Sequence, residues 1–240
     1  MAKFKVKTSE ILRAGLKKQE DLKRDFVSSI SHEFKTPITA IEGFARLLRN
    51  ENLTAEQFDE YTEIIIKEAA RLTNLSTNLL KLSVLDSSEN SKLSAKTFYV
   101  DEQLRFTILL LERSWQEKNI NFEINMEEIL YTGDEDLLSQ VWINILQNAI
   151  KFSPPGGTVA VCLRRQKSAI LVEIADEGPG ISDEIAAKIF DRFTKDVKHS
   201  PEGVGLGLAI AKRIVSICGG EISFKSNGGR TVFRVKLPLC

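Results

Sequence analysis

The chain has 240 residues, which is enough for one large domain or two modest ones. Its composition, 42% hydrophobic and 28% charged, is ordinary for a soluble globular protein. Its 33 basic residues balance 33 acidic residues, so no overall charge favours a nucleic acid partner or a membrane surface.

No signal for export or membrane insertion stands out. No apolar run approaches the roughly 20 residues of a membrane helix, and the first residues lack a hydrophobic signal core. Cys162, Cys218 and Cys240 are odd in number and lack the spacing of metal ligands. We therefore expect a soluble intracellular chain in a reducing compartment.

The first part of the chain predicts a long helix. Apolar residues recur at three- and four-residue steps, the spacing of one helix face. They are Leu22, Phe26, Ile30, Phe34, Ile38, Ile41, Ala45 and Leu48. Residues 8–25 carry a thinner apolar stripe, which predicts either a coiled-coil extension upstream or a solvated helical tail. We expect this helix to end near Asn50.

A second long helix follows after a short connection. Thr54 and Gln57 have the spacing of a capping box, in which each side chain satisfies the other's backbone N–H. A heptad-like stripe then runs to about Leu85. Two such helices predict an antiparallel hairpin, and pairing two hairpins about a two-fold axis would close a four-helix bundle.

The first helix carries a group of polar residues beside its apolar stripe. His32 is followed by Glu33 and, one turn later, by Thr36. Pro37 lacks an N–H and cannot bond to the carbonyl of Glu33, which predicts a loosened turn. An isolated histidine here would be an ordinary helical residue, but packing alone gains nothing from this combination.

Residues 87–97 are polar and serine-rich, which is typical of a linker. Beyond them, short strands alternate with helices. We predict strands at 98–100, 120–124, 159–163, 170–175, 222–226 and 231–237, and helices at 101–117, 135–152, 182–190 and 206–218. Asp101 and Ser182 are predicted N-caps. The pattern favours an α+β layer of helices on a mixed sheet.

Asn144, Asn148 and Lys151 lie at i, i+4 and i+7 of the predicted helix at 135–152, hence on one face. Asparagine inside a helix lowers its propensity, so capping does not explain these residues. Amide oxygens suit Mg²⁺, which keeps several waters and bridges phosphates. The face therefore indicates a phosphate-bearing ligand.

Two glycine-rich turns follow. Asp176 begins Asp-Glu-Gly-Pro-Gly-Ile at the end of a strand, where its carboxylate can accept from an exocyclic amino group such as that of adenine. Gly178 and Gly180 would let the backbone approach a flat base. Alone, this pattern is often only a turn.

The second turn is Gly203-Val204-Gly205-Leu206-Gly207-Leu208, which opens a helix. Alternating glycines free the backbone to wrap phosphate oxygens, and a helix N-terminus supplies N–H donors. Before it come Phe190, Phe193 and a polar segment, 194–202, with the composition of a lid over a nucleotide.

These motifs resemble those of one family. Ser31-His32-Glu33-Phe34-Lys35-Thr36-Pro37 is similar to the H box of sensor histidine kinases, usually Ser-His-Glu-Leu-Arg-Thr-Pro. The asparagine face, the two glycine turns and the paired phenylalanines resemble the N box, glycine boxes and F box of the GHKL (Bergerat) ATP-binding fold. The resemblance covers the chain from about Phe26 to Leu237.

The resemblance implies four regions: a helical signalling linker at 1–25, a dimerisation and histidine phosphotransfer domain at 26–86, a linker at 87–97 and a catalytic ATP-binding domain at 98–240. The expected cofactors are ATP and Mg²⁺. The expected partners are a second copy, forming a homodimer, and the receiver domain of a response regulator. A cytoplasmic location is implied, with membrane contact only through a sensor region not present in this chain.

The resemblance also implies roles for individual residues. His32 would accept the γ-phosphoryl group of ATP, Glu33 would take its ring proton, and Lys195 would contact the phosphate. Thr36 would orient water in a phosphatase reaction. Asn148, helped by Asn144, would hold Mg²⁺. The expected nucleotide-binding residues are Asn144, Asn148, Lys151, Phe152, Asp176, Gly178, Gly180, Ile181, Phe190, Phe193, Gly203, Val204, Gly205, Leu206, Gly207 and Leu208.

At three places the residues of this chain differ from those of hydrolytic relatives or from those frequent in related kinases. Hydrolytic relatives carry a glutamate at the position of Asn144, and an amide is a poor base for activating water. Thr194-Lys195 stands where related kinases often have Tyr-Arg, so Lys195 would act as a point charge. Phe152 replaces a frequent tyrosine.

Competing hypotheses are an ATP-binding switch or ATPase in which His32 is passive, and a protein serine kinase of the same fold. A serine kinase would not need an acceptor histidine. An inactive scaffold is disfavoured because no nucleotide motif is visibly broken. The sequence leaves open whether the ATP of one subunit serves its own His32 or that of its partner.

Overall fold

The computed structural model describes residues 2–50, 52–87, 94–196 and 204–239, with side chains from Arg24 onward except those of Asp25 and Ser87. The chain divides into two compact units between Thr77 and Asn78. The first is helical, and the second contains all the described strands.

The first unit is built on two helices, α1 (Ala2–Leu47) and α2 (Ala55–Ser87), and the part of α2 from Asn78 onward belongs to the second unit. The predicted capping box is confirmed. The N–H of Thr54 donates to Oε1 of Gln57 at 3.1 Å, and the N–H of Gln57 donates to Oγ1 of Thr54 at 3.2 Å. These bonds satisfy donors that a helix start leaves without intrahelical partners.

Two contacts show that α1 and α2 run antiparallel within the first unit. Glu33 forms an ion pair with Arg71 at 3.5 Å, and the rings of Phe44 and Tyr61 are 5.4 Å apart between centroids. The later residue of α1 therefore meets the earlier residue of α2. The helix α1 continues through Pro37, so the loss of one backbone bond there does not end it.

The second unit contains the remaining helices and all the described strands. They are β1 (Ala95–Tyr99), α3 (Val100–Leu110), α4 (Glu112–Glu117), β2 (Asn121–Met126), β3 (Leu130–Asp134), α5 (Glu135–Phe152), β4 (Thr158–Gln166), β5 (Ala169–Asp176), α6 (Asp183–Ala186), α7 (Gly207–Ile217), β6 (Glu221–Asn227) and β7 (Arg230–Pro238).

The main sheet has five strands in the order β2-β4-β5-β7-β6, and a small sheet pairs β1 with β3. Strands β2 and β4 are parallel, whereas the other neighbours in the main sheet are antiparallel, as expected for a mixed sheet. The helix α5 packs against α7 and β5, and α7 packs against β6. The core lies between these helices and the alternating buried residues of the sheet, such as Val159, Val161 and Leu163.

Four details of the prediction for the second unit were wrong. Asp101 does not cap α3; it lies in the first turn, where its Oδ1 accepts from the N–H of Ile129 at 3.3 Å. The predicted helix at 101–117 is interrupted at Leu111 and divides into α3 and α4. The strand β3 was not predicted.

The fourth error concerns α6. This helix ends at Ala186 rather than near Phe190, and Ser182 makes no side-chain capping bond to it. The Phe190 ring lies in an aromatic cluster with Phe224 and Phe233, at centroid distances of 6.0 and 6.4 Å. Packing against β6 and β7 thus decides the backbone after Ala186, in preference to local helix propensity.

The first unit exposes large apolar side chains on both helices. Val27, Ile38, Phe58 and Ile66 are 54, 49, 51 and 60% exposed. Exposed large apolar side chains on both helices are available for an interaction. Two-fold pairing of the hairpins would cover them, which supports the prediction of a homodimer.

Replacing Ile38 and Ile66 together by glutamate should therefore weaken self-association. Burying one isoleucine contributes about 1.5–3 kcal/mol, and each position counts twice in a two-fold interface, so we expect the dimer Kd to rise at least about 100-fold. Sedimentation equilibrium measures this change. The control is Ile124→Glu, which alters an isoleucine of β2 that is 42% exposed. A wild-type chain that stays monomeric would contradict the dimer.

Candidate nucleotide site

Asp176 ends β5 and is the most deeply buried carboxylate of the site, at 4% exposure. The N–H of Gly178 donates to its Oδ1 at 2.9 Å. Burial raises the pKa of Asp176 from 3.8 to about 6, and the bond from Gly178 opposes this shift in part. The residue is therefore a strong acceptor that has given up much of its hydration.

The glycines after Asp176 are required by close contacts. A Cβ on Gly178 would lie 2.7 Å from Oδ1 of Asp176 and 3.0 Å from the carbonyl oxygen of Phe152, the last residue of α5. Gly180 has a φ of +84°, a conformation that side chains rarely adopt. The N–H of Ile181 donates to Oγ of Ser226 at 2.9 Å, which attaches the turn to β6.

Thr231 belongs to the same site and was missed by the sequence analysis. It is paired with Asp176 across β5 and β7 and is 4% exposed. Its hydroxyl is 3.1 Å from that of Ser226. The signal in the sequence was weak, because a threonine in a strand is unremarkable until the register with Asp176 is known.

The helix α5 presents the predicted polar face. Asn144, Asn148 and Lys151 are partly exposed, whereas Ile145 and Ala149 between them are fully buried. The ammonium of Lys151 also lies 5.5 Å from the centroid of the Phe152 ring. The buried side of α5 thus fixes the direction in which its amides point.

The second glycine turn lies against this polar face. A Cβ on Gly207, the first residue of α7, would be 3.0 Å from Oδ1 of Asn144. The helix α7 begins without a side-chain cap, and its N-cap Leu206 is buried. Leu208 and Val204 are partly exposed, and Gly203 lies outside the described residues. The start of α7 is therefore available to an anion.

Gly205 connects this turn to the paired phenylalanines. Its φ is +72°, and a Cβ there would be 2.5 Å from the carbonyl oxygen of Thr194. The N–H of Phe193 donates to the carbonyl of Gly205 at 2.8 Å, with Phe193 itself at a φ of 63°. Phe190 is held in its aromatic cluster, and Lys195 is partly exposed. His199 and the rest of the segment 197–203 lie outside the described residues.

His32 lies in the other unit, on α1, where its side chain is exposed. The hydroxyl of Thr36 donates to the carbonyl of His32 at 3.3 Å. The carboxylate of Glu33 pairs with Arg71 of α2, a partner that the sequence analysis did not foresee. The first unit thus has an accessible imidazole, followed in sequence by a carboxylate that is held by Arg71.

Two families match the chain. Residues 133–240 match the histidine kinase-, DNA gyrase B- and HSP90-like ATPases, and residues 22–88 match the His Kinase A (phospho-acceptor) domain. The solved mycobacterial sensor histidine kinase MprB is 30% identical to this chain, with a TM-score of 0.55. The match covers 60% of this chain and 97% of the MprB chain. The chain belongs to the sensor histidine kinases.

Curated relatives of this histidine kinase are longer. It is 37% identical to the heme sensor protein HssS of Staphylococcus saprophyticus, over 92% of its own length and 48% of HssS. It is 34% identical to the sensor protein KdpD of Clostridium acetobutylicum, over 92% of its own length and 25% of KdpD. The chain thus spans a quarter to a half of these proteins. No described helix has both the length and the apolarity needed to cross a bilayer.

Two further solved histidine kinases resemble most of this one. Full-length ShkA in complex with AMPPNP is 29% identical, with a TM-score of 0.65, and the match covers 89% of this chain and 45% of ShkA. ThkA in complex with the response regulator protein TrrA is 26% identical, with a TM-score of 0.73, and the match covers 90% of this chain and 61% of that one.

The second unit also contains a set of ion pairs that the sequence did not reveal. Asp86, near the end of α2, lies 2.6 Å from Nη2 of Arg192 and 3.7 Å from Nε of Arg213. Nη2 of Arg213 donates to the carbonyl of Leu85 at 3.1 Å. These contacts join the last turn of α2, the paired phenylalanine segment and α7. Residues this far apart in sequence give no local signal of pairing.

Asp176 should make the stability of the nucleotide-free kinase depend on pH. Because its folded pKa is raised, its contribution is fully present below about 3.8 and is lost as pH rises to about 6. Asp176→Asn should therefore gain stability over the wild type as pH rises from 4.5 to 7.5, by about 2 kcal/mol across this range.

Urea unfolding at several pH values measures this difference. Glu184→Gln, at an exposed carboxylate of α6, is the control and should show no such trend. Parallel pH profiles for Asp176→Asn and the wild type would contradict the raised pKa.

Proposed function

We propose that this chain is a protein-histidine kinase that moves the γ-phosphoryl group of ATP to His32 and then to an aspartate of a response regulator. The proposal rests on one observation. Asp176, the polar face of α5 and the start of α7, which begins at Gly207, lie together in one unit. The exposed His32 of the other unit supplies the acceptor. Membership of the sensor histidine kinases supports both parts.

The site residues fit an adenine nucleotide. The buried carboxylate of Asp176 can accept from the exocyclic amino group, and the absence of a Cβ at Gly178 lets this turn pack against Asp176 and the end of α5. The start of α7, where a Cβ would collide with Asn144, suits the phosphates, and Lys151 adds positive charge. The match to ShkA, solved with AMPPNP, supports this assignment.

A divalent cation fits the same face. Among the described residues no cluster of three or more His, Cys, Asp or Glu side chains can hold a metal, so the protein ligands would be amide oxygens. Asn148, helped by Asn144, would hold Mg²⁺, which neutralises phosphate charge during transfer when bound. Both side chains are partly exposed, and Oδ1 of Asn144 lies beside the start of α7.

In the proposed reaction one ring nitrogen of neutral His32 attacks the γ-phosphorus. A P–N bond forms as the P–O bond to ADP breaks, and the proton on the other ring nitrogen leaves to Glu33. Arg71 of α2 forms an ion pair with Glu33 and so fixes the position of that carboxylate. Lys151 and Lys195 stabilise the transferring group.

Water should compete poorly for the same phosphorus. Hydrolytic relatives have a glutamate where this chain has Asn144, and the amide cannot take a proton from water. Oδ1 of Asn144 lies 3.0 Å from the position of a Cβ on Gly207, so this amide is next to the start of α7, where the proposal places the phosphates. Transfer to His32 is favoured over futile hydrolysis.

The acceptor of the second step is the receiver domain of a response regulator in the cytoplasm. The resemblance to ThkA, solved with the response regulator protein TrrA, supports this partner. We further propose that the chain dephosphorylates the regulator, with the hydroxyl of Thr36 orienting the attacking water. Thr36 is exposed one turn after His32, on the surface that the receiver would have to contact.

Replacing His32 by alanine should abolish labelling of the protein by [γ-³²P]ATP. The label on the wild type should be labile to acid and stable to base, as expected for a P–N bond. ATP affinity should be unchanged, because His32 lies outside the nucleotide-binding unit. Acid-labile label retained by His32→Ala would refute the acceptor. Steady ATP turnover unaffected by this variant would favour an ATPase or switch instead.

Replacing Thr36 by alanine should slow dephosphorylation of a phosphorylated receiver domain by about 100-fold while leaving labelling of His32 within a few-fold of wild type. Thr36→Ser retains the hydroxyl and should keep most of the activity. The decay of phosphorylated receiver, with and without the kinase, measures the rate. Equal phosphatase rates for Thr36→Ala and the wild type would remove Thr36 from this role.

A further inference from the structure

The end of α5 is held by a lysine from another part of the second unit. Nζ of Lys118, which follows α4, donates to the carbonyls of Ile150, Lys151 and Ser153 at 2.9, 2.7 and 2.6 Å. The residue is partly buried. All three hydrogens of one ammonium group are thereby used on the last turn of α5 and the residue after it.

This arrangement meets a physical requirement of the helix. The last carbonyls of an α-helix have no intrahelical partner and carry the negative end of the helix dipole. An ammonium group satisfies several of them at once and has the favourable charge. Burial lowers the pKa of Lys118, which shows that the protein places this charge there at a cost in hydration.

Further hydrogen bonds hold the backbone at the end of α5 and in the segment that follows it. The N–H of Gly156 donates to the carbonyl of Lys118 at 2.8 Å, and the hydroxyl of Ser153 donates to the carbonyl of Ala149 at 2.8 Å. The segment after α5 therefore closes on Lys118 from both sides. This position is fixed by several bonds rather than by one flexible side chain.

The held turn lies between the two halves of the candidate nucleotide site. Lys118 binds the backbone of Lys151, whose side chain lies on the polar face of α5. The next carbonyl, that of Phe152, is the atom that a Cβ on Gly178 would approach to 3.0 Å. A small shift of this turn would change the distance from the turn after Asp176 to the polar face.

We propose that Lys118 is a positioning residue for nucleotide binding, which holds the end of α5 so that the adenine turn and the phosphate-facing residues stay in register. This inference rests on the proposed binding of ATP by the second unit. Lys118 itself acts through the backbone of α5 and is not expected to touch the nucleotide.

The test compares Lys118→Met with the wild type, in the whole chain. Methionine keeps much of the apolar stem and removes the charge and all three donors. We expect the Kd for ATP with Mg²⁺, measured by calorimetry, to rise about tenfold, as for residues that act on a ligand through others. The rate of His32 labelling at saturating ATP should stay within about twofold, since the reacting groups are unchanged.

Two controls separate positioning from general loss of stability. Lys167→Met makes the same substitution at an exposed lysine in the turn between β4 and β5 and should leave the Kd unchanged. Val161→Ala opens a cavity in the sheet core, where Val161 is 1% exposed, and should lower Tm without changing the Kd. Lys118→Arg should recover only part of the affinity, because a planar guanidinium does not match three converging carbonyls.

Hydrogen exchange of the nucleotide-free protein gives a second readout. Amides of residues 150–157 should exchange faster in Lys118→Met and remain as in the wild type in Val161→Ala. A wild-type Kd in Lys118→Met would overturn the inference, as would an equal loss of affinity in Val161→Ala. If the wild type itself binds no ATP, the proposed function fails, and the positioning role fails with it whatever the exchange shows.

Discussion

The candidate site depends on the burial of one side of α5. Ile145, Leu146, Ala149 and Ile150 have almost no exposed surface, so rotation of this helix about its axis would cost several buried side chains. The residues on the opposite side then have a fixed direction. Both glycine turns are built against this helix: Gly207 has no room for a Cβ beside Asn144, and Gly178 has none beside the last carbonyl of α5. A packing constraint in the core thus sets the geometry of the polar surface.

The buried carboxylate of Asp176 lowers the stability of the nucleotide-free second unit at neutral pH. Its burial raises its pKa to about 6, so at neutral pH the folded protein holds an ionised group in a place that favours the neutral form. The N–H of Gly178 donates to its Oδ1 and offsets only part of this cost. A ligand that donates to the carboxylate would recover part of this cost. Under the proposed function, the same burial that destabilises the empty protein would increase selectivity for a base with an amino group, because water is a poor competitor there.

The sequence predicted those features that depend on local spacing. The bounds of α5, the Thr54–Gln57 capping box and the strands β4 and β5 that follow α5 were predicted from periodicity or from bonds over three residues, and the structure has them. The errors come from residues whose partners are distant in sequence. Asp101 was assigned to a cap because its preference for one is local, whereas its partner, Ile129, is brought to it by the fold. Thr231 and Lys118 were missed for the same reason: a threonine opposite Asp176 and an ammonium at the end of α5 have no meaning until the strands and helices are assembled.

Under the proposed function, the acceptor His32 and the nucleotide site place opposite demands on the chain. A nucleophile that must meet a phosphoryl donor and then a receiver domain has to be accessible, and His32 is exposed on α1. Accessibility also admits water, so the protein cannot rely on exclusion of solvent to prevent hydrolysis. The alternative is to leave out the general base that would activate water for attack on the phosphate. An amide at position 144, fixed against Gly207, does this where hydrolytic relatives have a carboxylate, and Glu33, the carboxylate next to His32, is paired with Arg71 on α2. In the proposed reaction Glu33 serves the imidazole, and its pairing with Arg71 makes it part of the helical unit.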